Sequence, residues 1–180
     1  MYYTKTLKTI SLKISEPEAE KETTLNSRQC FRIAKEIYKT LDDDQEHFTV
    51  FFLNSQNEIN GFKTLFSGGQ SFATVDLKII YRNALQFGAS AIIAIHNHPA
   101  GSLKRSGEDD KITQEIINAG KLLNIKLLDH LILGNGEYYS YADEGLIETY
   151  NRKGESCWHT IKYTSDSGTG RTMSSGFIDS

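Results

Sequence analysis

The sequence predicts an α/β domain of three layers, with helices packed on both faces of a mixed, partly antiparallel central sheet. Three observations predict it. Segments of strand length rich in apolar residues recur at His47 to Leu53, Ala89 to Ile95 and Ile125 to Leu133. Segments with helical spacing fall between them, and such alternation favours helices on a sheet. Two turn signals, at Asn54 to Asn60 and at Gly134-Asn135-Gly136, give some of the strands antiparallel partners.

The elements follow in order. Leu7, Ile10, Leu12 and Ile14 suggest an opening strand, and Ser15 to Thr24 a polar linker. Asn26 or Ser27 caps a helix running to about Leu41, with Cys30, Ile33, Ala34, Ile37, Tyr38 and Leu41 on one stripe. Asp42, Asp43 and Asp44 read as a solvated turn. His47 to Leu53 is a buried strand and Ile59 to Phe66 its hairpin partner, closed by Ser67-Gly68-Gly69. Val75 to Phe87 has helical spacing, and Gly88 supplies a left-handed stop. Ala89 to Ile95 reads as a strand covered on both faces. A polar loop leads to Ser106 and a helix to about Leu123, which Asn124 ends. Ile125 to Leu133 and Glu137 to Tyr141 form the last hairpin, and Ala142 to about Arg152 a last short helix. Residues 1–25 are thus a strand and linker, 26–150 the domain, and 151–180 a weakly ordered polar tail rich in Ser, Thr and Gly.

Composition sets limits on function. The 180 residues suit one domain, with 38% hydrophobic and 24% charged residues. A formal net charge of −3 does not favour a dedicated nucleic-acid binder. The two cysteines, Cys30 and Cys157, form no C-x-x-C, which argues against a disulfide framework or a Cys-rich zinc site. No signal-peptide run or membrane-length apolar segment is present, so the expected compartment is the cytoplasm, with no membrane partner.

The chemistry concentrates in His96-Asn97-His98-Pro99 and Ser106-Gly107-Glu108-Asp109. Residues i and i+2 of a strand share a face, so His96 and His98 can aim two imidazoles at one point. Asp109 falls in the first turn of the next helix, where the helix dipole favours a carboxylate. Two His and one carboxylate leave a fourth position open, as catalytic zinc sites do. Ser106 and Asp109 also fit a capping-box-like helix start, and for that pair alone capping is the simpler meaning. The two roles are compatible. An H-E-x-x-H motif, a deaminase motif and a Gly-rich phosphate loop are all absent.

His96-x-His98, seven residues, Ser106, two residues and Asp109 match the H-x-H-x7-S-x2-D signature of JAB/MPN (JAMM) metalloproteases. The wider context resembles the bacterial RadC-like branch: EHFTVFFLNSQNEI from Glu46, HNHPAG from His96, SGEDDKIT from Ser106, LLDHLILG from Leu127 and YYSYADEGLI from Tyr138, spanning roughly residues 8 to 150. The resemblance implies a JAB/MPN-like fold and one Zn²⁺ per chain held by His96, His98 and Asp109. It implies Glu46 as general base on the zinc-activated water, and Ser106 as donor to the developing oxyanion. The expected function is a zinc-dependent peptidase or isopeptidase acting on a protein or peptide substrate. A DNA-repair-associated accessory role and a non-catalytic interaction module are the alternatives. An extended peptide is expected to add to a strand edge beside the histidines.

Other residues have lesser expectations. Asn97 should point away from the histidines and be structural, and His47 should face away from Glu46. His130 should support the ligands from behind or pack, and His159 and Cys157 lie in the tail. The sequence departs from the branch in two places. Lys104 and Arg105 bring positive charge to a loop the branch makes acidic, and with Lys111 and Lys121 they could form a basic cluster. Lys78 and Ile79 stand where the branch often has an Arg-Glu pair. Full-length RadC-like proteins usually carry an N-terminal helix-hairpin-helix-like region, which residues 1–25 are not expected to hold.

Overall fold

A computed structural model describes residues 25–68 and 75–157. Its elements are α1 (Ser27–Tyr38), β1 (His47–Leu53), β2 (Ile59–Ser67), α2 (Leu77–Gln86), β3 (Ala91–Asn97), α3 (Gly107–Leu123), β4 (Lys126–Gly134), β5 (Glu137–Ser140) and α4 (Leu146–Cys157). The five strands form one mixed sheet in the order β2-β1-β3-β4-β5. β3 and β4 are parallel, and the other pairs are antiparallel. The parallel pair is joined through α3, as a crossover requires.

The strand alternation builds two cores. Phe48, Val50 and Phe52 of β1 with Ile92 and Ala94 of β3 pack against α2, α3 and α4. Phe51, Leu53, Ile93 and Ile95 face Cys30 and Ala34 of α1 on the other side. This is the expected three-layer arrangement. Every residue of β1 is buried, as is β3 up to His96.

Local chemistry explains the helix ends. Asn26 caps α1, its side chain accepting the Gln29 N–H while the Gln29 side chain accepts the Asn26 N–H. Asp76 caps α2. Gly88 (φ +61°) follows the end of α2, and Asn124 (φ +54°) ends α3. Asp42, Asp43 and Asp44 are exposed in a turn.

Three expectations need correction. α4 begins at Leu146 rather than Ala142, because Gly145 at φ +67° interrupts the backbone before it. It also continues to Cys157, into the segment whose composition predicts a tail. Finally, the strand carrying the histidines has no open edge: β1 covers one side of β3 and β4 the other. The expected opening strand and most of the tail lie outside the described residues.

One irregularity matters for the site. The β3–β4 register slips by one residue, Ile92 pairing with Leu127 but Ile93 with Asp129. Such a bulge flips the following side chains to the opposite face. Leu127 and Ile132 therefore share the α3 side although the offset between them is odd. His130 is thereby turned toward α3.

Candidate metal centre

β3 delivers the histidines. His96 pairs with Phe48 across β1, and its ring lies parallel to the Phe48 ring at 6.3 Å. His98 follows just past the strand, its N–H donating to the Leu133 carbonyl at 2.9 Å. A turn then closes from the Gly101 N–H to the His98 carbonyl at 2.8 Å, with Gly101 at φ +77°. The loop can lie flat on β4 because position 134 has no side chain. A Cβ there would meet the Gly101 carbonyl oxygen at 2.5 Å.

α3 delivers the carboxylate. Ser106 is its N-cap and Asp109 its N3 residue, in a complete capping box. The Ser106 N–H donates to Asp109 Oδ2 at 2.6 Å, and the Asp109 N–H donates to Ser106 Oγ at 3.1 Å. Capping and presentation of the carboxylate coexist in one residue, since Oδ1 is left for the site.

The three side chains converge. His96 Nε2 lies 3.1 Å from His98 Nε2 and 3.2 Å from Asp109 Oδ1, and His98 Nε2 lies 3.6 Å from Asp109 Oδ2. A tetrahedral ion with bonds of about 2.0–2.1 Å has ligand atoms roughly 3.3 Å apart. The side chains of His96 and Asp109 are fully buried, while that of His98 is 14% exposed, so the cluster opens on the His98 side. Among the described residues, this is the group of His, Cys and acidic side chains that could hold a metal ion.

The donor set fits a cation. Asp109 Oδ1 is buried and receives no hydrogen bond despite its short distance to His96 Nε2. His98 Nδ1 is 2.7 Å from the Ser102 carbonyl, which can only accept, so Nδ1 carries the proton and neutral His98 presents a lone pair at Nε2. Lone pairs and a carboxylate thus face one point, an arrangement that a cation stabilises. Burial alone would raise the Asp109 carboxyl, but the His96 and His98 imidazoles outweigh it and hold its pKa well below the usual carboxylate range. Asp109 in turn raises the pKa of His98, whereas burial lowers that of His96.

Glu46 lies beside this cluster. Phe48 is opposite His96, and Glu46, two residues before Phe48, lies where the charges of His98 and Asp109 act on it. Its backbone is held from three directions. The Asn97 side chain donates to the Gln45 carbonyl at 2.9 Å and accepts the His47 N–H at 2.7 Å, while the Gly68 N–H donates to the Glu46 carbonyl at 3.1 Å. Glu46 Oε2 is buried without a hydrogen-bond partner. Burial raises the pKa of its carboxyl, His98 opposes the rise and Asp109 adds to it.

The remaining expectations sort clearly. Asn97 is structural, as read, but what it holds is the segment bearing Glu46. His47 faces the α1 side: its Nε2 is 2.7 Å from the Asp42 carbonyl and its Nδ1 2.7 Å from Ser67 Oγ. His130 stands behind His96, with its Nε2 2.8 Å from His96 Nδ1. Thr113, which sequence reasoning passed over, continues the line at 2.6 Å from His130 Nδ1. The signal available for it was its position one helical turn after Asp109, on the same face of α3. Three of the four cations Lys104, Arg105, Lys111 and Lys121 have partners of their own. Arg105 is paired with Asp110, Lys111 lies 3.9 Å from Glu115, and Lys121 donates to the Asn151 carbonyl. Beside His98 a cavity of about 290 Å³ is bordered by Tyr38, Lys39, Asp43, Pro99 and Asn135.

A three-layer α/β domain that closes two histidines of a central strand and an aspartate of the following helix onto one point has the build of a JAB domain. The family model described as RadC-like JAB domain matches residues 24–146, and the chain belongs to that family. Similar curated proteins bear the name UPF0758 protein. The one from Flavobacterium johnsoniae is 39% identical over 122 residues, covering 68% of this chain and 52% of its own length. The one from Porphyromonas gingivalis is 37% identical over 134 residues, covering 74% and 58%. UPF0758 protein YfjY of Escherichia coli is 39% identical over 104 residues, covering 58% and 65%. The match spans about half to two thirds of the length of these relatives. No helix among the described residues is long and apolar enough to cross a membrane.

Proposed function

We propose that the chain is a zinc-dependent hydrolase of amide bonds, a peptidase or isopeptidase acting on a protein or peptide. The observation that carries this reading is the convergence of His96, His98 and Asp109 beside Glu46, whose buried carboxylate oxygen has no partner. Two nitrogens and one carboxylate with an open side suit a catalytic zinc rather than a closed structural one. A zinc ion held there would act as Lewis acid and bring the pKa of water to about 7.

The chain's own groups divide the remaining work. Glu46, its pKa raised by burial, is a stronger base than an ordinary carboxylate and is placed to take a proton from water and return it to the leaving amine. Ser106 Oγ accepts the Asp109 N–H, which leaves its hydroxyl proton to donate to the carbonyl oxygen of the scissile bond. The cavity beside His98 is the adjoining space in which a substrate chain can lie.

The test is a panel of internally quenched peptides and isopeptide-linked conjugates, assayed with zinc-loaded wild type, E46Q and S106A. Cleavage by the wild type is expected, with E46Q losing it while keeping its zinc. S106A should lose roughly 100-fold, the size of one lost oxyanion donor. Equal cleavage by E46Q would remove Glu46 from the mechanism.

A further inference from the structure

The buried histidine of the cluster has an unusual support. Behind it runs a line of short contacts: His96 Nδ1 to His130 Nε2 at 2.8 Å, His130 Nδ1 to Thr113 Oγ1 at 2.6 Å, and Thr113 Oγ1 to the Asp109 carbonyl oxygen at 2.6 Å. All four residues are buried, so no bulk water can substitute for any of them. The Tyr141 ring stacks on His130 at 5.1 Å and the Phe48 ring meets it edge-on at 5.7 Å, which fixes its plane.

We propose that Thr113 and His130 are positioning residues that order the protons behind the metal centre and lock His96 in the tautomer able to bind a metal through Nε2. This inference rests on the metal reading above.

The direction of each bond follows from its last member. The Asp109 carbonyl can only accept, so the single Thr113 hydroxyl proton points to it. Thr113 Oγ1 must then accept, and His130 Nδ1 carries the proton it receives. Neutral His130 presents a lone pair at Nε2, so His96 Nδ1 is the donor in the next bond. Neutral His96 therefore has its lone pair at Nε2, the atom that lies 3.1 Å from His98 Nε2 and 3.2 Å from Asp109 Oδ1. Histidine ligands commonly donate their other ring N–H to a carboxylate, carbonyl or water, which sets tautomer and ring orientation. His98 uses the Ser102 carbonyl directly. His96 reaches a carbonyl too, but through two side chains.

The relay also closes a ring. Asp109 offers its carboxylate to the site and its main-chain carbonyl to Thr113, one turn later on α3. A single helical turn thus sets both a ligand and the proton order of the ligand facing it.

The experiment measures zinc affinity by competition with a chromophoric chelator at fixed pH, well below the melting temperature of every variant. T113V keeps the shape and removes the hydroxyl, T113S restores the hydroxyl, and H130L removes the acceptor of His96. Ring ¹⁵N spectra of the metal-free proteins read the tautomers directly. Wild type is expected to show Nδ1–H at His96 and His130. T113V should bind zinc roughly 10-fold or more weakly and show mixed tautomers, H130L should lose roughly 10- to 100-fold, and T113S should match wild type. T113V binding zinc as tightly as T113S, with unchanged tautomers, would overturn the relay while leaving the metal site intact. A wild type that binds no zinc would instead overturn the metal reading on which the relay rests. Should H130L fail to fold, the T113V and T113S pair decides alone.

Discussion

Asn97 sits between two site histidines in sequence, yet its side chain works on the far strand. Its amide holds the Gln45 carbonyl and the His47 N–H, the two backbone groups that flank Glu46. Replacing it with Ala would leave both groups without that partner, at a cost of about 1–3 kcal/mol for each one left unsatisfied. N97A is expected to lower the denaturant midpoint and to reduce peptide cleavage, while zinc affinity stays near that of wild type. An N97A variant cleaving at the wild-type rate would show that Glu46 needs no such anchor. At this scale the sequence is unevenly legible. His96 and His98 can be read because strand period puts i and i+2 on one face. Ser106 and Asp109 can be read because a capping box is local. The grip of Asn97 on Gln45 and His47 cannot, because it exists only after β1 and β3 have paired. The link between His130 and Thr113 joins different elements in the same way.

At the scale of elements, the bulge in β4 aims His130, and Asp129 secures the strand beside it. Asp129 accepts from the Ser140 hydroxyl at 2.6 Å, the Ala142 N–H at 2.9 Å and the His130 N–H at 2.7 Å, tying β4 to the corner before α4. Burial nevertheless pushes its carboxyl from 3.8 up to about 6, these hydrogen bonds opposing the rise. A carboxyl whose folded pKa lies above the unfolded one contributes stability below pH 4 that is lost as pH rises through about 6. The loss amounts to roughly 3 kcal/mol. D129N can keep the two N–H contacts through its amide oxygen and cannot ionise. Its unfolding free energy should therefore fall less than that of wild type between pH 4 and pH 7, as chemical denaturation across that range will measure. Identical pH profiles would rule out Asp129 as the titrating group. Element types were legible where apolar runs were long, as in β1 and β3. The start of α4 was not, because apolar spacing does not reveal the positive φ at Gly145 that delays it. Nor was the register slip, since Leu127-Leu128 and Leu131-Ile132-Leu133 place apolar side chains on both faces in either register.

At the scale of the whole molecule, the cluster joins the centre of the sheet to the helix layer, with two donors from the end of β3 and one from α3. An ion bound there would cross-link two layers of the folded state and favour it by mass action. At free zinc a thousandfold above its dissociation constant the gain is about 4 kcal/mol. For a domain of this size that corresponds to a rise in melting temperature of roughly 8–15 °C. Chelation should reverse the rise in wild type, and H98A should show neither effect. The three layers were readable from the alternation of strands and helices. The missing strand edge beside the histidines was not, because strand order in the sheet does not follow chain order: β3 is enclosed by β1 and β4.

The most direct test of the central claim is the zinc content of the purified protein after incubation with Zn²⁺ and removal of excess, measured for wild type and H98A side by side. About one zinc per chain in the wild type and little in H98A is the expected result. A wild type that stays metal-free, or an H98A that retains the full complement, would contradict the assignment of His96, His98 and Asp109 as a zinc site.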